Sequence, residues 1–219
     1  MRKCLILYVG LLALIGISLG CTMTEGLVRS TQVVHSGEIL FRDDFSDPNS
    51  GWDTWKDSGS TVAYEQGGLR FVVNRSQYDY WSRPPRQFDD VRIAVQATKL
   101  GGPDDNDYGI ICRFKDQDNF YAFLVSSDGY MGITKVKEGK YQMISGDSLQ
   151  FSEVLRQGET TNFIGVDCKG STLILYANKK KLLEVQDSDF TSGEVGLIVG
   201  SYSEPGVDIL FDNFVVTKP

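Results

Sequence analysis

The run YGIICRFKDQDNFYAFLVSSDGYMGI, residues 108–133, decides how the chain is read. Two stretches rich in β-branched and aromatic residues, 108–114 and 120–126, are separated by the turn Asp116 to Asn119, and a third begins after Asp128-Gly129. Asn, Asp and Gly tolerate the backbone conformations of tight hairpins. Short apolar runs bounded by such residues read as strands rather than helices. The segment is therefore strand, turn, strand, turn, strand.

The same pattern continues on both sides. Predicted strands cover 39–44, 61–65, 68–73, 79–83, 90–99, 108–114, 120–126, 130–138, 140–143, 162–169, 172–177, 180–186, 193–202 and 208–216. Asn178-Lys179 supplies a further hairpin turn, while 149–156 fits a short helix and an extended loop equally. Helical periodicity is nearly absent and no internal repeat is visible. The fold class is all-β, an antiparallel β-sandwich. Phe45, Phe71, Phe114, Phe120, Phe123, Phe211 and Phe214 are the expected core, and Trp52 and Trp55 are expected to pack rather than to face solvent.

The N-terminal residues read differently. Arg2 and Lys3 precede an apolar run over 5–17, followed by Ser18, Gly20 and Cys21, which has the form of an export signal. The run contains Gly10 and Gly16 and is shorter than the roughly 20 apolar residues a membrane-spanning helix needs. The stretch Ile17-Ser18-Leu19-Gly20-Cys21 resembles the lipobox of bacterial lipoproteins. That resemblance implies cleavage before Cys21 and acylation of its thiol with palmitate-type chains. Each buried methylene contributes about 0.8 kcal/mol and one chain is marginal, so several chains give durable anchoring.

The expected division is a signal peptide over 1–20, a lipid-anchored polar tether over 21–37 and one sandwich over 38–219. The expected location is the cell envelope, anchored to the extracytoplasmic side of a membrane. The formal net charge of −7 becomes more negative once Arg2 and Lys3 leave with the signal. Such a surface repels nucleic acid, which is excluded as a partner.

Four cysteines are present: Cys4 in the signal, Cys21, and the pair Cys112 and Cys168, each inside a predicted strand. In an oxidising compartment such a pair is expected to form a disulfide, the alternative being two buried thiols. The single histidine, His35, falls in the tether. The sandwich thus lacks the histidine that Ser-His-Asp or Cys-His catalysis and histidine-based zinc sites require. Paired carboxylates remain as the one route to hydrolysis, and they must flank a cleft.

The segments FRDDFSDPNSGW (41–52), 108–133, VDCKGSTLILYANKKKLLEV (166–185), GEVGLIVGSY (193–202) and DILFDNFVV (208–216) resemble the concanavalin A-like lectin/glucanase jelly rolls. They also resemble laminin-G-like domains and the 3-keto-disaccharide hydrolase-like domain. The resemblance implies that the first and last strands lie side by side, bringing Asp44 near Asp212. Glucanases of this superfamily carry their acids on one strand in a Glu-x-Asp-x-Glu pattern, which no strand here has.

No catalytic residue is therefore assigned. The expected function is a non-catalytic surface module for carbohydrate or another envelope component. The alternatives are a glycoside hydrolase-like enzyme and a structural module that adheres to an envelope protein. Sugar rings stack on aromatic faces between fixed polar groups. The candidate ligand-binding residues are Tyr78, Tyr80 and Trp81 in one segment, with Arg113, Tyr121 and Tyr130 converging from neighbouring strands. No cofactor is required, although calcium, which favours oxygen ligands, has a candidate site at Asp43, Asp44 and Asp212 and another in the run 104–107.

Overall fold

A computed structural model describes residues 37–219. The expectations for the signal, Cys21, His35 and the tether lie outside the described residues. In chain order the strands are β1 (Ile39–Asp43), β2 (Trp55–Lys56), β3 (Ser60–Glu65), β4 (Gly68–Val73), β5 (Tyr78–Ser82), β6 (Gln87–Phe88), β7 (Val91–Gly101) and β8 (Asn106–Asp116). They continue as β9 (Asn119–Val125), β10 (Tyr130–Lys137), β11 (Lys140–Met143), β12 (Gln150–Phe151), β13 (Thr161–Lys169), β14 (Thr172–Ala177), β15 (Lys180–Gln186), β16 (Gly193–Ser201) and β17 (Val207–Thr217). Every predicted strand is present and no helix forms among the described residues. Only the two-residue strands β2, β6 and β12 escaped prediction, being too short to show alternation. The undecided 149–156 segment forms no helix: β12 pairs against β10, and a turn follows over 153–154.

Two antiparallel sheets face each other. The first runs β15-β14-β13-β7-β17-β4-β3-β2, with β1 also on β17; the second runs β11-β10-β9-β8-β16-β5, with β12 on β10 and β6 on β16. This is the concanavalin A-like jelly-roll sandwich. The first and last strands do pair, with Asp43 opposite Phe214.

Alternation builds the core. In β7, Val91, Ile93, Val95 and Ala97 point inward while Arg92 and Ala94 point out. In β17, Val207, Ile209 and Phe211 face the core, and then the phase shifts to Phe214 and Val216. A β-bulge at Asp212-Asn213, with Asn213 at φ 53°, absorbs the extra residue. This explains why two polar residues interrupt the apolar run.

A second bulge, at Arg113 (φ 54°) in β8, drives that side chain inward. Its guanidinium donates to the carbonyls of Gly170 and Phe190 at 2.8 and 2.7 Å and pairs with Asp90 at 3.2 Å. Arg113 thereby clamps three loops at one end of the sandwich. Opposite it stands Gly193, where a Cβ would lie 2.4 Å from the Arg113 backbone, so the bulge admits no larger residue there.

Beside this clamp, Lys135 and Tyr121 face inward in one row with Cys112. The Tyr121 hydroxyl donates to Asp187 and accepts from the Phe190 N–H at 3.1 Å, and Lys135 pairs with both Asp187 and Asp189. Cys112 bonds Cys168 across the sandwich, joining β8 to β13.

Two outcomes are expected. Without reductant, neither Cys112 nor Cys168 reacts with a thiol reagent after denaturation, and the double alanine variant is less stable by about 2–4 kcal/mol, the scale for closing a long loop. For the Lys135 cluster the direction follows from charge. Burial pushes the Asp187 carboxyl up, but hydrogen bonds from Lys135 and Tyr121 outweigh it and hold the group below its ordinary value. Lys135 and then Lys137 hold Asp189 down as well. A carboxyl depressed in the folded state stabilises above its unfolded pKa, and that contribution disappears as pH falls through the folded one. Chemical denaturation should show the wild type losing stability between about pH 5 and about pH 2. Lys135→Met should be less stable at neutral pH, with the gap closing toward the acid end.

Candidate functional site

The outer face of the second sheet holds the unusual chemistry. Register places Asp79 of β5, Gly200 of β16 and Asp107 of β8 in one row. Residues opposite one another on paired strands project from the same face, so both carboxylates rise on either side of a residue that has no side chain. A Cβ on Gly200 would lie 2.0 Å from Asp79 Oδ1 and 2.7 Å from Asp107 Oδ1. The two carboxylates lean over one backbone position and are within about 5 Å of each other, close enough for each to oppose the other's ionisation.

Their surroundings differ. Asp107 is 3% exposed, and its Oδ1 has no hydrogen-bond partner among the described residues. Burial, and next the Asp79 charge, push its carboxyl far above the ordinary range, and hydrogen bonding from Tyr202 and the Gly200 amide offsets only part of this. Asp79 keeps an open edge to solvent, yet protein replaces enough of its hydration to raise it too. The open edge decides access: Asp79 is exposed to solvent, and Asp107 is not.

Aromatic groups border the pair. In the adjoining row Trp81 lies beside Ile198, Gly109 and Leu124. Its indole reaches Phe120 at 5.7 Å and Phe114 at 6.3 Å, and Arg83 sits 3.9 Å over the Phe114 ring. Phe114 and Phe120 thus belong to a small apolar cluster with Ile111, Ala122, Leu124 and Ile198, separate from the main core. Tyr141 and Tyr202 lie close enough to feel the pair. Burial and then the Asp107 and Asp79 charges push the Tyr141 phenol up to about 12, while burial and then Asp107 raise Tyr202.

The six aromatic and basic residues expected to bind a ligand do not converge. Strand alternation sends Trp81 to the outer face, while Tyr80 turns toward Gly59 and Trp55 and Tyr78 stacks on Tyr80 at 6.4 Å beneath Arg75. Arg113 and Tyr121 require correction: at 1% and 0% exposure they are interior clamps, because the β8 bulge and the inward row place them between the sheets. Tyr130 is exposed, but it packs edge-on against Phe151 at 5.6 Å, away from Trp81.

Asp43, Asp44 and Asp212 do not form a cluster either. Asp43 accepts from the Trp52 indole at 2.9 Å, Asp44 from the Ser46 hydroxyl at 2.6 Å, and Asp212 from the Asn213 N–H at 2.6 Å. Each carboxylate is satisfied locally. Among the described residues no group of three or more His, Cys, Asp or Glu side chains is arranged to hold a metal. The run 104–107 separates as well: Asp104 pairs with Lys99, Asp105 accepts from Ser203, Asn106 is buried against Ser127, and Asp107 alone reaches the outer face.

The Asp79–Asp107 pair escaped sequence reading because its members lie on strands separated by a third. Asp107 precedes the predicted strand 108–114, and the register that sets it across Gly200 from Asp79 is fixed only by the assembled sheet.

Neither a protein-family model nor a curated protein sequence matches the chain. Solved structures do share its fold. A family 66 carbohydrate-binding module from Bacillus subtilis is 19% identical, with a TM-score of 0.62 over 77% of this chain and 96% of that one. A galectin-like protein of unknown function from Bacillus subtilis is 11% identical, with a TM-score of 0.60 over 84% and 97%. A β-glucanase from Bacillus licheniformis is 11% identical, with a TM-score of 0.60 over 84% and 100%.

An unpartnered buried carboxylate oxygen costs stability. In chelator at neutral pH, Asp107→Asn should therefore raise the unfolding midpoint by a few degrees, about 1 kcal/mol in a domain of this size. A lower midpoint would mean that the carboxylate is fully satisfied.

Proposed function

We propose that this chain is a lipid-anchored extracytoplasmic module that binds carbohydrate on the outer face of its second sheet. The observation that carries the reading is the Asp79–Asp107 pair beside Trp81, Tyr141 and Tyr202. A carboxylate accepts hydrogen bonds from two hydroxyls at once, and an indole or phenol face receives the apolar side of a sugar ring. The sandwich shared with a carbohydrate-binding module supports this assignment. The lipobox-like residues ending at Cys21 support anchoring through that cysteine.

Binding is preferred to hydrolysis on geometric grounds. Glycosidase acids flank the scissile bond, and one must present its proton to the leaving oxygen. The unpartnered Asp107 oxygen has almost no surface of its own, so it is poorly placed to present a proton to such an oxygen.

The test is a glycan-array and polysaccharide-retardation assay on the purified exported protein. Saturable binding should weaken at least tenfold in Trp81→Ala and Asp79→Ala, a loss of about 1.4 kcal/mol or more. Binding untouched by both variants would move the site elsewhere, and silence across a broad panel would favour a protein partner. Release of reducing sugar that depends on Asp79 would replace binding with processing. Intact-mass analysis should find acyl chains on Cys21, and Cys21→Ser should leave the protein in the aqueous fraction.

A further inference from the structure

Several other half-buried carboxylates of the sandwich have cations, and Asp43, Asp128 and Asp212 are held by neutral donors from Trp52, Ser126 and Asn213. Asp167 pairs with Arg92, Asp208 with Arg70, Asp187 with Lys135 and Glu194 with Arg83. Asp79 and Asp107 enter no ion pair formed among the described residues. Two carboxylates close together, one of them with a buried and unpartnered oxygen, lack a positive partner.

The space between them has a definite size. The Cβ position that Gly200 leaves empty is 2.0 Å from Asp79 Oδ1 and 2.7 and 3.0 Å from the two Asp107 oxygens. The separation of the two Oδ1 atoms is thus at most about 5 Å, twice the calcium–oxygen distance of roughly 2.3–2.6 Å. One ion seated outward of the Gly200 backbone can touch both. A side chain at 200 would occupy the approach.

We infer that Asp79 and Asp107 hold a single divalent cation of calcium's size over Gly200, with Asp107 as the buried ligand and Asp79 as the solvent-facing one. Two carboxylates leave most of the coordination shell to water, as hard cations bound at open sites accept. On the proposed carbohydrate reading, neighbouring hydroxyls of a sugar replace two of those waters, with its ring against Trp81 or Tyr141. Only this last step rests on that reading; the ion site stands without it.

The test uses the full exported protein, stripped with chelator and titrated with terbium, whose emission Trp81, Tyr141 and Tyr202 can sensitise. Saturable emission that calcium displaces, and a calcium-dependent rise in the unfolding midpoint, are expected. Asp107→Asn should weaken the terbium affinity at least tenfold. Gly200→Ala should do the same with the fold intact, because the three atoms nearest its methyl group are side-chain carboxylate oxygens rather than backbone. No saturable emission from the wild type, or emission retained by both variants, overturns the site. Carbohydrate binding then separates the two readings. Binding lost in chelator and restored by calcium supports the bridged mode, whereas binding indifferent to chelator removes the ion from recognition and leaves the proposed function standing. A cation site on a protein that binds no sugar keeps the ion and removes the sugar.

Discussion

Strand β17 is hydrogen-bonded along both edges, to β7 on one side and to β4 and then β1 on the other. Strands distant in sequence are therefore drawn into one sheet by the last segment of the chain. A single bulge at Asp212-Asn213 lets that strand serve two neighbours in succession while keeping apolar residues inward on both halves. Without the phase shift, Phe214 and Val216 would face solvent, since a one-residue slip reverses every side chain. Phe214 would then lose its edge contact with Trp52, 5.0 Å between ring centroids, which closes the core beneath β1.

The second sheet relies on the same alternation for a different end. Its inner face completes the core with Ile110, Phe123, Leu197 and Val199. Its outer face is divided between an apolar cluster around Trp81 and an acidic row across Gly200. Carboxylates this close, with no basic side chain to balance them, oppose folding. Elsewhere half-buried acids are met either by arginine or lysine, as at Asp167, Asp208, Asp187 and Glu194, or by a neutral donor, as at Asp43 and Asp212. What sets Asp79 and Asp107 apart is that two carboxylates share one space and one of them keeps a buried oxygen with no partner among the described residues, and local stability is commonly given up where a ligand is to be received.

Toward the opposite end of the same sheet, on its inner side, Arg113, Tyr121 and Lys135 show how similar residues serve structure instead. Each is polar, each is buried, and each is tied to a loop carbonyl, amide or carboxylate. Asp187 and Asp189 are the acids that close this end. The difference between the two ends is one of pairing. Here every charge has its complement close by.

Local chemistry made much of this legible in advance. Turn residues at Asp116 to Asn119, Asp128-Gly129 and Asn178-Lys179 mark hairpins because they tolerate unusual backbone angles, and period-two apolar runs mark strands because successive side chains leave opposite faces. The pairing of Cys112 with Cys168 was readable because only those two cysteines lie in the sandwich. Those features depend on a residue and its near neighbours. What only the tertiary structure decided was which rows meet: that Arg113 turns inward at a bulge, that Tyr78 and Tyr80 part from Trp81, and that Asp79 and Asp107 converge over Gly200. Register between strands far apart in sequence is set by packing of the whole core, and a shift of one residue exchanges the inner and outer faces. The sequence by itself thus determined the strands and the disulfide, and the assembled sheets alone determined the site.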